Sequence, residues 1–128
     1  MGRILALDIG EKRIGLAITD EGKIISQPMP YTVSPKELPN LLNELSSDYE
    51  IEEIIVGMPL SMSGNAGPQA EKFKKIFDKL KESTNIPLNY FDERLTTKQA
   101  QKLIHSGSTL PVDSLAAQQL LESYLKTK

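Results

Sequence analysis

The first third of the chain consists of short apolar stretches separated by turn residues. Arg3–Ile9 (RILALDI) is apolar on both alternating sets of positions, which is typical of a strand covered on both faces of a sheet. Arg13–Thr19 and Lys23–Val33 each follow after a short polar turn, so three consecutive antiparallel strands are expected. Pro28 and Pro30 remove hydrogen-bond donors from the third strand. The pattern therefore predicts a central first strand and a third strand at an edge.

Helical and extended patterns alternate after the third strand. Leucines recur at helical spacing beyond Ser34 and Pro35, which suit an N-cap and a first helical position. Pro39 fits this helix only if the regular part begins nearby, because an interior proline costs about 3 kcal/mol. A short buried strand is expected over Glu52–Gly57, and the prolines and glycines of Met58–Pro68 predict a loop after it.

The second half of the chain continues this alternation. One set of apolar residues at helical spacing predicts an amphipathic helix: Ala70, Phe73, Ile76, Phe77 and Leu80. Leu88–Asp92 is typical of a fifth strand. Thr96 and Gln99 have the spacing of a capping box that begins a helix, and a last apolar helix opens at Asp113. The order βββαβαβαα places the chain in the α/β class.

Composition excludes several classes of protein. The chain has 128 residues and no linker-like segment, so one domain over residues 1–128 is expected. The absence of cysteine excludes disulfides and thiolate-bound metals, and leaves oxygen ligands or His105 for any metal. The sequence shows no signal peptide and no apolar run of about 20 residues, so we expect a cytoplasmic protein without a membrane segment.

The charge of the chain is unevenly distributed. A net charge of −2 does not favour a protein that binds nucleic acid over its whole surface. Residues 1–64 carry five Lys/Arg and ten Asp/Glu, whereas residues 65–128 carry ten and seven, so the second half can form a local basic face. Lys72, Lys75 and Lys79 form a row on the predicted helix, although such a row is more often a solvated face than a nucleic-acid track.

Three acidic positions stand where α/β proteins place ligands. Asp8 ends the first strand before a glycine, a position that suits either a ligand or a turn cap. Asp92 and Glu93 are adjacent at the end of the fifth strand, so only one of these side chains can face Asp8. Asp113 opens the last helix, where Asp is also a favoured N-cap. Gathered at one sheet edge, three carboxylates would form an oxygen-only pocket for a hard cation such as Mg²⁺ or Mn²⁺.

Such a pocket suits phosphodiester hydrolysis. Two divalent ions about 4 Å apart activate a water, neutralise the scissile phosphate and stabilise the leaving oxygen. Lys12 and Arg13 follow Asp8 on the next turn and are candidate phosphate contacts, although turn cations are commonly only solvated. With a single histidine, no thiol and no G-x-S-x-G motif, covalent nucleophilic catalysis is disfavoured.

Four segments in order resemble the YqgF family of nucleases, relatives of the RuvC Holliday junction resolvases: ALDIGEKRIGLAITD, VGMPLSMSGNAGPQAEKF, FDERLTTKQAQ and DSLAAQQLLESYL. The resemblance extends over nearly the whole chain. It implies an RNase H-like fold, a mixed five-stranded sheet in which three antiparallel strands lead into parallel strands, flanked by helices. That expectation agrees with the order of elements predicted above.

The resemblance also implies a set of functional residues. It places the metal-binding carboxylates on Asp8, Glu93 and Asp113, and so selects Glu93 over Asp92. It implies a cytosolic bacterial protein that processes the 5′ end of the small-subunit rRNA precursor (pre-16S rRNA), with Holliday junction resolution as the older proposal. Many relatives carry Lys or Arg just before the last acidic residue, whereas residues 108–112 are uncharged here.

The leading hypothesis is a two-metal, Mg²⁺- or Mn²⁺-dependent endonuclease for structured RNA, with Lys12, Arg13 and Arg94 as phosphate contacts. The second is a resolvase of branched DNA, which would act as a homodimer rather than a monomer because its substrate is symmetric. The third is a catalytically silent RNA-binding assembly factor. A fourth follows from the likeness of Asp8-Ile9-Gly10 to the phosphate-binding start of actin-like ATPases, which need two such domains where this chain supplies one.

Overall fold

The apolar stretches of the sequence form a five-stranded sheet with helices on both faces. The structure is a computed structural model, and it describes residues 2–9, 13–58, 68–92 and 112–127. The strands are β1 (Arg3–Ile9), β2 (Ile14–Thr19), β3 (Ser26–Val33), β4 (Ile51–Met58) and β5 (Leu88–Asp92); the helices are α1 (Leu38–Asp48), α2 (Pro68–Ser83) and α3 (Val112–Leu125). Among these helices, none is long and apolar enough to cross a membrane.

The strands lie in the order β3-β2-β1-β4-β5. β1 pairs antiparallel with β2, and β2 pairs antiparallel with β3, whereas β4 pairs in parallel with both β1 and β5. The predicted mixed sheet is therefore confirmed. β1 occupies the centre and β3 an edge, as the apolar pattern of the first strand and the prolines of the third predicted.

The two faces of the sheet are covered by different helices. On one face, Leu5 and Leu7 of β1 belong to a buried cluster that also includes residues of α1 and α2: Leu38, Leu42, Leu45, Phe73 and Leu80. On the other face, Ile4 and Ala6 pack in a second cluster with α3, whose buried members are Ala117, Leu120 and Leu121. Because strand side chains alternate, Asp8 follows Ile4 and Ala6 onto the face that α3 covers.

Helix α1 begins later than its sequence suggested. Its N-cap is Glu37, so the expectation that Ser34 caps the helix and Pro35 opens it is wrong. Ser34 and Glu37 instead form a turn, in which the Ser34 hydroxyl donates to Glu37 Oε1 at 2.8 Å. This side-chain hydrogen bond, with a second from the Ser34 backbone, holds the pKa of Glu37 below its ordinary value. The later start leaves Pro39 in the first turn, where a helix needs no donor.

Strand β3 also begins later than predicted, at Ser26 rather than Lys23. The residues before it form a turn around Asp20, whose Oδ1 accepts from the backbone nitrogens of Ile24 at 2.8 Å and Ile25 at 2.9 Å. Lys23 has a positive φ of 58° in this turn, a conformation incompatible with a strand. Side-chain capping therefore takes these residues out of the sheet.

The predicted bounds of β1 and β5 are confirmed, and the remaining boundaries differ from the predictions by one or two residues. β2 begins at Ile14, one residue late, and β4 begins at Ile51 and ends at Met58, one residue longer at each end. α2 begins at Pro68, the residue at which the predicted loop was expected to end. The helix predicted to start at Thr96 lies outside the described residues.

Candidate functional site

Asp8 lies in a row of paired residues that crosses the sheet near the carboxyl ends of β1 and β4. It pairs with Gly15 of β2 on one side and Gly57 of β4 on the other, and Gly57 pairs in turn with Phe91 of β5. Neither direct neighbour carries a side chain. The Asp8 carboxylate therefore stands between two positions that leave room on the α3 face for backbone or ligand atoms.

Asp8 is also buried, with 7% of its surface exposed. Among the described residues it is the one carboxylate in the buried class. A buried carboxylate is costly unless hydrogen bonds, an ion pair or a metal compensate for lost hydration. The buried Asp8 carboxylate therefore needs a compensating partner, a requirement that either a ligand role or a turn-capping role meets.

Asp113 is brought to the same sheet edge by the start of α3. The helix begins at Val112, so Asp113 lies in its first turn instead of preceding it as an N-cap. Its backbone carbonyl rests against Gly15, since a Cβ built on that glycine would overlap the carbonyl and come within 2.6 Å of the Ser114 nitrogen. Asp8 and Asp113 therefore flank the same glycine, one as its strand partner and one as the helix packed on it.

Ser114 anchors this first turn of α3 to the sheet. Its side chain is fully buried, and its hydroxyl donates to the backbone carbonyl of Tyr31 on β3 at 3.1 Å. The same oxygen accepts from the backbone nitrogen of Leu16 on β2 at 3.5 Å, the longer of the two contacts. The residue next to Asp113 thus bridges two strands.

Ser114 is the first of three polar residues that tie one side of α3 to β3 at i, i+4, i+8 spacing. Gln118 Nε2 donates to the Ser26 carbonyl at 3.1 Å, and the Ser26 hydroxyl donates to Glu122 Oε1 at 3.3 Å. Sequence analysis missed this polar stripe. The spacing was visible beside the apolar face of the helix, but nothing local identified β3 as its partner.

Of the three basic residues predicted to contact phosphate, the structure describes Arg13. Arg13 is exposed and directly precedes Ile14, which pairs with Ile9 at the end of β1, so it lies at the edge of the sheet that carries Asp8. Lys12, Glu93 and Arg94 lie outside the described residues, as do residues 59–67. Within the described ranges, no three His, Cys, Asp or Glu side chains form a metal-binding cluster.

Comparison with known proteins identifies the family. The family model described as "RuvX: Holliday junction resolvase" matches residues 2–127. The chain belongs to the RuvX family. A relative named "Putative pre-16S rRNA nuclease" from Caldanaerobacter subterraneus subsp. tengcongensis is 38% identical over 98% of this chain and 97% of its own length. A relative of the same name from Desulforudis audaxviator is 36% identical over 98% and 95%.

Solved structures show the fold that this RuvX chain shares with known resolvases. The chain superposes on T. thermophilus RuvC in complex with a Holliday junction substrate with a TM-score of 0.67 and 15% identity, covering 98% of this chain and 94% of that one. For the Fowlpox virus resolvase the TM-score is 0.56 and the identity 16%, covering 98% of this chain and 99% of the resolvase. These likenesses confirm the RNase H-like fold expected of a RuvC relative, and the RuvX match confirms the resemblance to the YqgF family.

Proposed function

We propose that this RuvX protein is a divalent-metal-dependent endonuclease that hydrolyses phosphodiester bonds in the precursor of small-subunit rRNA. The observation that carries the proposal is the placement of Asp8 and Asp113 beside the same residue, Gly15: Asp8 as its strand partner and the Asp113 backbone packed against it. The names of the two relatives given above supply the substrate class.

The residues present fit a hard divalent cation. Asp8 and Asp113 offer carboxylate oxygens, the ligands that Mg²⁺ and Mn²⁺ prefer, and the glycines beside Asp8 add no competing side chain. Glu93 is the proposed third ligand. It lies outside the described residues, and it is proposed because it holds the acidic position of the family-like segment FDERLTTKQAQ.

The proposed chemistry divides between the metal and the chain. When bound, a pair of divalent ions would activate water and neutralise charge at the scissile phosphate. The chain's own part is to hold three carboxylates in place and to orient the nucleic-acid backbone. Arg13, with Lys12 and Arg94, would contact phosphates, and the planar guanidinium groups allow two hydrogen bonds to one phosphate.

A second candidate, resolution of four-way DNA junctions, is favoured by the description of the family itself. The two functions need different assemblies. A junction has two symmetric scissile strands and calls for two sites in a homodimer, whereas one monomer suffices for a single cut in RNA. The assembly-factor alternative requires RNA binding without cleavage.

The decisive experiment measures cleavage of a labelled pre-16S rRNA fragment and of a four-way DNA junction, with Mn²⁺ or with EDTA. Wild type is compared with Asp8→Asn and Asp113→Asn, and with Asp78→Asn on the exposed side of α2 as a matched control. We expect metal-dependent RNA cleavage that falls by roughly 10³-fold in the two site variants, because a catalytic metal contributes several kcal/mol and about 1.4 kcal/mol is tenfold.

Each other outcome contradicts a stated part of the proposal. Cleavage of the junction alone would replace the RNA substrate with DNA. RNA binding with no metal-dependent cleavage in wild type would support the assembly factor instead. Full activity in Asp8→Asn would remove this carboxylate from the site.

A further inference from the structure

We infer that Gly15 and Ser114 are positioning residues that set the location of Asp113 relative to Asp8. The inference rests on the proposed function, because it concerns how the carboxylates of that site are held. Neither residue adds a ligand of its own: Gly15 has no side chain, and the Ser114 hydroxyl is engaged by the Tyr31 carbonyl and the Leu16 nitrogen.

Gly15 sets how closely α3 approaches the sheet. The Asp113 carbonyl and the Ser114 nitrogen occupy the space that any side chain at position 15 would fill. Both are backbone atoms in a helix, so neither can rotate away. Because Gly15 is also the strand partner of Asp8, this close approach determines how near the first turn of α3 comes to the Asp8 carboxylate.

Ser114 sets where α3 lies along the sheet, through an irregularity in the pairing of β2 with β3. Gly15 pairs with Thr32, but Ala17 pairs with Pro28, so the register shifts and passes over Leu16. Such an irregularity leaves backbone groups without ladder partners. The Ser114 hydroxyl fills the gap, donating to the Tyr31 carbonyl and accepting from the Leu16 nitrogen, as one hydroxyl can do at once.

The two contacts act in different directions on the same turn of helix. Gly15 fixes the height of the turn above the sheet, and Ser114 fixes its position between β2 and β3. Asp113 is covalently joined to Ser114 and only partly buried, so its carboxylate can serve a ligand while its neighbour stays locked in the sheet. Contacts that orient ligands in this way typically change metal affinity or activity by about 10- to 100-fold when removed.

The test uses two variants, each with a matched control. Ser114→Ala removes the bridging hydroxyl, and its control is Ser26→Ala, which removes another buried hydroxyl between β3 and α3, bonded to Glu122 away from the site. Gly15→Ala forces the helix outward, and its control is Gly22→Ala, where the nearest atom to a new Cβ is a side-chain oxygen at 3.3 Å.

Mn²⁺ affinity is measured by calorimetry without substrate, and cleavage is measured in parallel. We expect Ser114→Ala to bind Mn²⁺ about 10- to 100-fold more weakly than wild type, and Gly15→Ala to cut about 100-fold more slowly, the loss associated with a 1 Å displacement. In metal-free protein, hydrogen exchange at the Leu16 amide should be faster in Ser114→Ala. Both control variants should match wild type in affinity and rate.

The possible failures are distinguishable. If wild type neither binds Mn²⁺ nor cleaves, the proposed function is refuted and the inference falls with it. If wild type and Ser26→Ala are active and Ser114→Ala keeps wild-type affinity and rate, only the inference is overturned. Unfolding of Ser114→Ala but not of Ser26→Ala would show that Ser114 is structural and would also overturn it.

Discussion

Replacing Gly15 with alanine should push α3 away from the sheet and lower the free energy of unfolding, and the close contacts at Gly15 give the size of the displacement. A Cβ on Gly15 would come within 2.6 Å of the Ser114 nitrogen, whereas ordinary contact begins at 3.4 Å. The first turn of α3 must therefore retreat by the difference, about 0.8 Å, and further at the overlapped Asp113 carbonyl. Because overpacking of this kind costs about 1–3 kcal/mol, the free energy of unfolding should fall by that amount.

Urea unfolding of metal-free protein measures this loss. The free energy of unfolding depends on urea by about 2 kcal/mol per molar, so a decrease of about 2 kcal/mol in this free energy lowers the urea midpoint by about 1 M. Gly22→Ala places a methyl group against the movable end of Asp20 and should stay within about 0.5 kcal/mol of wild type. Equal midpoints for Gly15→Ala and wild type would refute the argument that close backbone packing requires a glycine at this position.

Three further predictions concern other parts of the molecule. Leu121→Ala, in the buried cluster beneath α3, should cost about 2–5 kcal/mol in urea unfolding, whereas Ile24→Ala, 81% exposed, should be nearly neutral; similar losses would contradict the described packing. Arg13→Ala should weaken binding to nucleic acids of any sequence. The slope of the logarithm of the binding constant against the logarithm of the salt concentration should fall by about one phosphate contact, and an unchanged slope would show that Arg13 does not contact a phosphate. Hydrogen bonds from the Ile25 and Ile24 backbone nitrogens lower the pKa of Asp20 below its ordinary value, so the stability they supply is present above the ordinary pKa and is lost as the pH falls through the lowered one. Asp20→Asn should therefore be less stable than wild type at neutral pH and equal to it in strong acid, and a difference that persists in acid would contradict the charge-based explanation.

The spacing of apolar residues and the positions of turn-forming residues were sufficient to predict much of the fold. The unbroken apolar run around Leu5 and Leu7 marks a central strand because such a strand is covered on both faces. Pro28 and Pro30 mark an edge strand because they remove donors. Ser34 and Pro35 were wrongly predicted to begin α1 because they are favourable there locally, whereas the constraint stated for Pro39, that the regular helix begins near it, agrees with the structure.

The site was predictable only in part for a different reason. Asp8 was recognisable from its place at a strand end, and Asp113 from its place at a helix start. Their placement beside the same glycine involves Gly15 and Ser114, whose partners are distant in sequence: Ser114 lies 98 residues from Leu16 and 83 from Tyr31. No local pattern specifies such contacts. The choice between Asp92 and Glu93 likewise came from resemblance to a family, and the role of Glu93 stays a prediction.

The bridge between Ser114 and the β2–β3 irregularity joins a late part of the chain to an early one. Closing so long a loop costs conformational entropy that is recovered only when the helix is seated on the sheet. A folding intermediate with the sheet formed and α3 undocked would hold Asp8 without Asp113, and would therefore lack the proposed nuclease site. Cleavage can thus serve as a readout of the docking of α3, because the chain holds both carboxylates beside Gly15 only when the contacts of Ser114 have formed.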